Sequence, residues 1–352
     1  MKRILLSLCC LITCLSAIFA KDYVIEGSLP GEDGREFNVF DYDSRSVIGK
    51  GKVVDGKLII KGTTEQPLLV RVESDNIFTN CVLDSLAVVD FETHYPSDGS
   101  LLNRLYRDNK REESLIVRDY DNMKNKCNNG EISKDSLEKY RWRIVDESVD
   151  LYVKSIKDNN NGVGYSSLLS LSGYSTFTPD DWDKLYGTMD GFLKDTRLVA
   201  DLNERYGNQR KTMVGKPFVD IEGIDVEGNK SLLSDYVGKG KYVLVDFWAS
   251  WCGPCKAEAE TTLKPLYERM KDKDNFEILG VATWDNLDRT RKALDTLGYK
   301  WPQILDAGMT PMRLYGFDGI PMIILFGPDG TILERNLRGE YLIETVEQYV
   351  GK

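Results

Sequence analysis

Residues 242–256 read Tyr-Val-Leu-Val-Asp-Phe-Trp-Ala-Ser-Trp-Cys-Gly-Pro-Cys-Lys, and this stretch decides the fold of the part of the chain that contains it. Tyr242 to Phe247 form a nearly continuous apolar run, the composition of a strand buried on both faces, broken only by Asp246. The residues from Cys252 onward open a helical segment. Around it the same alternation recurs: Phe218–Ile221, Phe276–Val281 and Met322–Phe326 read as strands, and the segments near 255–272, 287–297 and 342–350 read as helices. Alternating strands and helices predict an α/β domain over residues 212–352, a central mixed sheet flanked by helices.

Outward from this domain the pattern changes twice. Residues 21–97 are predicted to be a small antiparallel β domain, with β-rich runs at Tyr23–Ile25, Phe37–Phe40, Leu58–Ile60 and Leu68–Val72. Gly31, Asp33-Gly34, Asp55-Gly56 and Gly62 punctuate these runs as turns. Residues 98–211 read as helical: Leu137, Tyr140, Ile144, Leu151 and Tyr152 recur at helical spacing, and Thr178-Pro179-Asp180-Asp181 is an N-cap followed by proline in the first turn. Lys157–Gly162 is a polar loop between two helices, Gly207 is the expected C-cap of the last one, and Asn208–Lys211 the hinge that follows. Trp142, Trp182, Tyr140 and Tyr186 are expected in the core of this region.

The chain has 352 residues, of which 41% are hydrophobic and 29% charged, enough apolar material for two or three folded parts. Its net charge of −10 offers no basic surface to neutralise phosphates, so no nucleic-acid partner is expected. Residues 1–20 have the form of a leader: Lys2 and Arg3, then an uncharged apolar run from Ile4 to Phe19, then Ala17-Ile18-Phe19-Ala20 ahead of Lys21-Asp22. The expectation is export through a cleaved signal peptide. The run is shorter than the ~20 residues of a spanning helix, and Thr13 before Cys14 is large for a lipidation site, so an uncleaved anchor and a lipoprotein rank below it. Four cysteines then lie outside the leader: Cys81, Cys127, Cys252 and Cys255.

An exported chain of this size folds without staples, so two cysteines at close spacing require a chemical explanation. Two intervening residues, Gly253 and Pro254, in a first helical turn bring the sulfurs together for a reversible disulfide. The helix N-terminus favours a thiolate on the first. Cys252 is therefore the expected exposed nucleophile, and Cys255, a turn further in, the resolving thiol. Asp246 lies six residues upstream, where a carboxylate is costly to bury; it is either a structural hydrogen-bonding group or the acceptor of the Cys255 proton. Gly319-Ile320-Pro321 leads into a strand. A cis bond there would leave the preceding backbone free to bind an extended polypeptide, which makes Ile320 and Pro321 docking candidates.

Residues 243–256 closely resemble the active-site strand and helix of thioredoxins, the buried aspartate included. From about Val214 to the end the chain is similar to the extracytoplasmic TlpA-like branch of that superfamily, which Gly215–Phe218, Leu233–Tyr236, Tyr299–Pro302 and Leu337–Gly339 carry. Asp55–Leu58 and Gln66–Leu69 more weakly resemble a small β domain, of unassigned role, that precedes such modules in envelope proteins. The resemblance implies a periplasmic thiol–disulfide oxidoreductase without metal, flavin or nucleotide cofactor. Catalysis would fall to Cys252, Cys255 and Asp246, and substrate docking to Trp251, Gly253, Pro254, Ile320 and Pro321. Gly253-Pro254 between the sulfurs matches the reducing members, and an exported reductant implies a membrane thiol-electron transporter as partner. Apocytochromes of cytochrome c maturation, misoxidised envelope proteins and a dedicated partner all fit as substrates. Two departures stand out. Gly280–Thr283 offers no lysine to face Asp246, and Pro265 lies later in the active-site helix than the usual kink.

Rival chemistries lack their residues. A peroxiredoxin needs Pro-x-x-x-Thr-x-x-Cys, but Val245 and Ala249 occupy the Pro and Thr positions before Cys252. A zinc site needs a second cysteine pair or histidines, and His94 is the only histidine in the sequence. The same shortage argues against a Cys-His hydrolase. Cys81 and Cys127 form either a structural bridge or two free thiols. The non-enzymatic alternative is a binding or scaffold protein whose redox module is accessory; an isomerase or oxidase is the alternative within the same chemistry.

Overall fold

The computed structural model describes residues 20–351 except Ser175. Residues 1–19 of the expected leader, with its signal-peptide reading, lie outside the described residues. No helix among the described residues is long and apolar enough to cross a membrane. The described residues divide into two compact units, one within 20–172 and 188–197, the other within 173–187 and 198–351.

The first unit is built on an eight-stranded sheet: β1 Lys21–Ser28, β2 Glu36–Asp41, β3 Ser46–Val54, β4 Lys57–Thr64, β5 Leu69–Ser74, β6 Ile77–Val82, β7 Leu86–Val89 and β8 Pro96–Gly99. Their spatial order is β6-β5-β2-β3-β4-β1-β7-β8, antiparallel throughout except for the parallel β1–β7 pair. Side chains alternate along each strand, so Ile25, Phe37, Val39, Leu58, Ile60, Val70 and Val72 collect in one core. Gly62 is not the expected turn. It lies inside β4, where a Cβ would come within 2.6 Å of the Tyr23 hydroxyl oxygen.

Among the described residues this unit holds the helices α1 Leu101–Asn128, α2 Lys134–Asp158, α3 Gly162–Leu171 and the short α5 Gly191–Lys194. Ser100 caps α1 by accepting from the Asn103 N–H. The Asn103 side chain, fully buried, accepts from the Val82 N–H and donates to the carbonyls of Val82 and Leu86, which fastens α1 to the sheet. The Gly162 N–H donates to the Pro67 carbonyl at 2.6 Å, so α3 starts against the strand side. The expected loop between α2 and α3 is there. Trp142 is exposed rather than buried, being on the solvent side of α2, whereas Trp182 of the second unit is buried. Cys81 and Cys127 are both free thiols. Cys81 is enclosed in the sheet core, and burial pushes its thiol up to about 12. His94 stacks on Phe78 and bonds that residue's carbonyl, a packing role.

In the second unit a five-stranded mixed sheet runs β13-β12-β11-β14-β15, with β11 Tyr242–Trp248, β12 Phe276–Ala282, β13 Gln303–Ile304, β14 Met322–Phe326 and β15 Ile332–Arg335. β11, β12 and β13 are parallel; β14 and β15 run antiparallel to β11 and to each other. A separate two-stranded ribbon joins β9 Glu222–Ile224 to β10 Lys230–Leu232. The strand expected at Phe218–Ile221 is displaced to β9. Phe218 instead bonds Gly330, and the Asp220 carboxylate accepts from the backbone and hydroxyl of Ser234, which takes residues 218–221 out of a regular ladder.

β11 is buried on both faces. Val243, Val245 and Phe247 enter one core, and Leu244 enters the other with Leu263, Leu266 and Leu325. Helices α7 Gly253–Glu258, α8 Lys264–Met270, α9 Leu287–Leu297, α10 Thr310–Tyr315 and α11 Gly339–Val350 complete the sandwich.

Two helices from the segment read as a separate helical region pack into this second unit: α4 Pro179–Thr188, through Gly187, and α6 Arg197–Lys211, from Leu198. Thr178 caps α4 as expected, its hydroxyl accepting from the Asp181 N–H. Gly207 does not end α6. The helix continues to Lys211, with Thr212 N–H bonded to Asn208 and Gln209, so the supposed hinge is the last turn of a helix. That turn is held from outside the helix. Asn208 donates to the Arg313 carbonyl, and Arg335 donates to the Thr212 carbonyl and to Tyr315. The sheet-rich N-terminal unit and the C-terminal unit with the mixed sheet are thus distinct, and α4 and α6 belong with the latter.

Candidate active site

Strand β11, the central strand of the second unit's sheet, ends at Trp248 and delivers the chain into α7. Cys252 is the N-cap of α7, with extended backbone, and Cys255 sits in its first turn. The two are joined in a disulfide with Cα atoms 5.3 Å apart. The Cys255 N–H points at Cys252 Sγ, 3.1 Å away. This is the donor arrangement that stabilises negative charge on the first sulfur once the bond is reduced. Cys252 is less exposed than the sequence suggests. Its backbone opens the helix as expected, but the residue is 3% accessible because Ile320, Trp248 and Leu305 pack around it.

Ile320 and Pro321 are brought to the cysteines. The Ile320–Pro321 bond is cis, and the Ile320 carbonyl oxygen lies 3.7 Å from Cys252 Sγ. The β11–β14 register, with Phe247 opposite Met322, sets this meeting, because it places the residues before β14 beside the residues after β11.

The entrance is aromatic. Trp251, 47% exposed, donates its indole N–H to the Trp284 carbonyl at 2.8 Å, and the two rings meet edge to face at 4.8 Å. Asp285 fixes the turn before the cysteines by accepting from the Ser250 N–H and hydroxyl. Trp284 holds a left-handed backbone at φ 54°, uncommon for a bulky residue, with its N–H on the Gly308 carbonyl. Gly253 and Pro254 are both exposed at the helix start.

Asp246 lies two residues beyond Leu244 on β11 and so on the same face, the one that packs against Ala259, Leu263 and Leu266. It is 1% exposed, and its Oδ1 has no hydrogen-bond partner. Burial raises its carboxyl to about 7; the Arg338 guanidinium opposes that shift and the Glu258 carboxylate adds to it. Tyr299 is the further titratable group facing Asp246, its hydroxyl pushed up by burial and by that carboxylate.

Sequence reasoning missed Glu258 and Arg338. Glu258 follows Cys255 by one helical turn and accepts from the Gly339 N–H at 2.7 Å. Arg338 donates to the carbonyls of Pro321 and Leu337. The lysine absent from Gly280–Thr283 thus has a cationic counterpart from the other end of the sheet. The signal in the sequence was Leu337-Arg338-Gly339, a run that carries the family resemblance but whose spacing says nothing of Asp246.

Pro265 has a visible effect. A π-helical turn at Ala259–Leu263 precedes it, separating α7 from α8. Proline has no N–H for the carbonyl four residues back, and its ring crowds that carbonyl, so the helix widens there. No group of three or more metal-binding side chains occurs among the described residues.

A sheet of this order, a helix opening on two cysteines and a proline loop against the first sulfur define a thioredoxin-like thiol–disulfide oxidoreductase. Residues 214–335 match the AhpC/TSA family. Over 147 residues the chain is 30% identical to the thiol-disulfide oxidoreductase ResA of Bacillus thuringiensis (strain Al Hakam), covering 42% of this chain and 82% of the relative. ResA of Geobacillus thermodenitrificans is 29% identical over 139 residues, or 39% of this chain and 76% of the relative. The crystal structure of the thioredoxin domain of a Bacteroides vulgatus thiol-disulfide oxidoreductase is 38% identical. It covers 39% of this chain and 98% of that one, with a TM-score of 0.36. The chain belongs to the ResA family of thiol-disulfide oxidoreductases.

Proposed function

We propose that this protein is an exported reductant of protein disulfides. The observation that carries the reading is the seat of Cys252: a helix N-cap whose sulfur faces the Cys255 N–H and the Ile320 carbonyl. In the reduced enzyme the Cys252 thiolate attacks one sulfur of a substrate disulfide. That bond breaks, a mixed disulfide forms and one substrate thiolate leaves. Cys255 then gives its proton to Asp246 and attacks Cys252 Sγ. The intramolecular disulfide closes, and the second substrate thiolate departs to be protonated. Two electrons have passed from the dithiol to the substrate.

Trp251, Gly253, Pro254, Ile320 and Pro321 form the docking surface in this reading. The enzyme ends each turnover oxidised, so a membrane thiol-electron transporter recharges it, and the leader reading of residues 1–20 supports work in the periplasm. Gly253-Pro254 between the sulfurs supports the reducing direction.

The test is the equilibrium potential of the Cys252–Cys255 couple, titrated against dithiothreitol or glutathione. A value near about −270 mV is expected; one near about −120 mV would identify an oxidant instead. Replacing Cys252→Ser should abolish disulfide reduction, and Cys255→Ser should accumulate a mixed disulfide detectable by mass spectrometry. Turnover by Cys252→Ser at the wild-type rate would refute the reading.

A further inference from the structure

A groove of about 490 Å³ opens in the second unit beside the loop that faces Cys252. One side is part of the redox fold: Phe317, Gly319, Pro321 and Met322. The other side is supplied by Phe177, Tyr206, Met213 and Val214, all but the last of which precede the family match at 214–335. This second wall is a built structure. Phe177 and Trp182 pack on the Tyr206 ring at 6.3 and 5.3 Å between centroids. The Trp182 indole N–H donates to Asn203 at 2.9 Å, and Arg210 reaches the Pro179 carbonyl and Asp183. Arg205 ties α6 to Asp318 of the loop at 2.5 Å. Gly316 admits α6 closely: a Cβ there would stand 2.5 Å from the Arg205 carbonyl.

From this geometry we infer that the groove is the subsite for a bulky apolar side chain of the substrate polypeptide, a few residues from the disulfide that Cys252 attacks. The inference deepens the proposed function and rests on it for the identity of the occupant. Position is the first reason. Gly319 and Pro321 line the groove, and the residue between them, Ile320, has its carbonyl 3.7 Å from Cys252 Sγ. An extended peptide advances about 3.3 Å per residue, so a substrate cysteine at Cys252 sets its second or third neighbour roughly 7 to 10 Å away, within reach of the groove. Chemistry is the second. Arg205, Asp318, Arg335 and Arg338 also line the groove, but its apolar wall of Phe177, Tyr206, Phe317 and Met322 continues to Met213 and Val214, 41% and 54% exposed at its mouth, surface that an apolar side chain would remove from water. The groove thereby converts a general disulfide exchanger into one with sequence preference.

The experiment uses the full chain with Cys252→Ser and Cys255→Ser, which separates binding from redox chemistry. The probe is a fluorescein-labelled twelve-residue peptide carrying one S-methylated cysteine flanked two and three residues away by phenylalanine. Its comparison peptide has serine at those positions. Anisotropy should show the phenylalanine peptide binding at least tenfold more tightly. Val214→Glu and Met213→Glu, both at solvent-exposed positions, should each erase that preference, while Val226→Glu, exposed and outside the groove, should keep it. Equal affinity for the two peptides, or a preference that survives both groove variants, overturns the inference. So does a groove variant that spares peptide binding but dissociates a dimer, which would assign the groove to a second copy. Peptide preference without any disulfide turnover by the wild type would instead refute the reductase reading and leave a peptide-binding groove standing.

Discussion

Asp246 is the residue whose surroundings say most about the chemistry. Burial raises its carboxyl to about 7, so at neutral pH it is poised to accept a proton in a way that a solvent-exposed aspartate is not. The sign for stability follows from linkage. Between about pH 4 and pH 7 the folded chain holds a proton that the unfolded chain has released, so stability falls as pH rises through that window and levels off above it. A shift of this size corresponds to a loss on the order of 4 kcal/mol across the window. Urea unfolding of the oxidised protein at pH 4.5 and pH 8 should show the decline, and Asp246→Asn should remove most of it. In turnover the same substitution should flatten the rise in rate near pH 7 while leaving formation of the first mixed disulfide at its original speed. An unchanged pH profile in Asp246→Asn would identify the carboxylate as structural. The strand pattern made the presence of this carboxylate legible, but not Arg338 and Glu258, the charges that face it, because they come from loops and helices that only the folded sheet brings together.

At the scale of elements, the joint between α6 and the loop ahead of β14 is a close contact of the second unit. Gly316 has φ +64°, and a Cβ there would meet the Arg205 carbonyl, the Gln209 nitrogen and the Gln209 Cβ at 2.5 to 2.6 Å. Gly316→Ala therefore combines a disfavoured backbone with a steric collision against a helix. It should destabilise the protein by about 1–3 kcal/mol, read as a lower urea midpoint with an unchanged slope. The same substitution should weaken binding of the phenylalanine peptide, since α6 forms a wall of the groove. Wild-type stability in Gly316→Ala would mean that α6 yields freely. Helix α6 falls within the stretch read as helical, but its end was not legible: Gly207 looked like a C-cap, and what continues the helix to Lys211 is a set of bonds to Arg313, Tyr315 and Arg335, more than a hundred residues downstream.

For the whole molecule, the consequence is where the redox unit begins. Sequence composition suggests residue 212, yet the unit takes in 173–187 and 198–211 as well. Val199, Leu202 and Tyr206 are buried along α6, and each such side chain contributes about 1.5–3 kcal/mol when fully enclosed. A fragment of residues 173–352 should therefore unfold cooperatively near the second unit's own transition, while one of residues 212–352 should melt lower by on the order of 10 °C. Differential scanning calorimetry of the two fragments decides it; equal melting temperatures would show that α4 and α6 add nothing to the stability of the redox fold.

The chain's own letters carried a good deal of this. The apolar run at 242–247 and the two cysteines beyond it specify a buried strand delivering a redox pair to a helix start, because period, length and capping chemistry are local properties. They also marked Asp246, Ile320 and Pro321. Other features are contacts between residues far apart in the chain: the 3% accessibility of Cys252 under Ile320, the Arg338 and Glu258 charges around Asp246, the displaced strand at 222–224, and the helices joined to the redox sheet. Sequence periodicity reports which face of an element is apolar, whereas the partner that covers this face is chosen by the packing of the whole unit, and that choice only the tertiary structure makes.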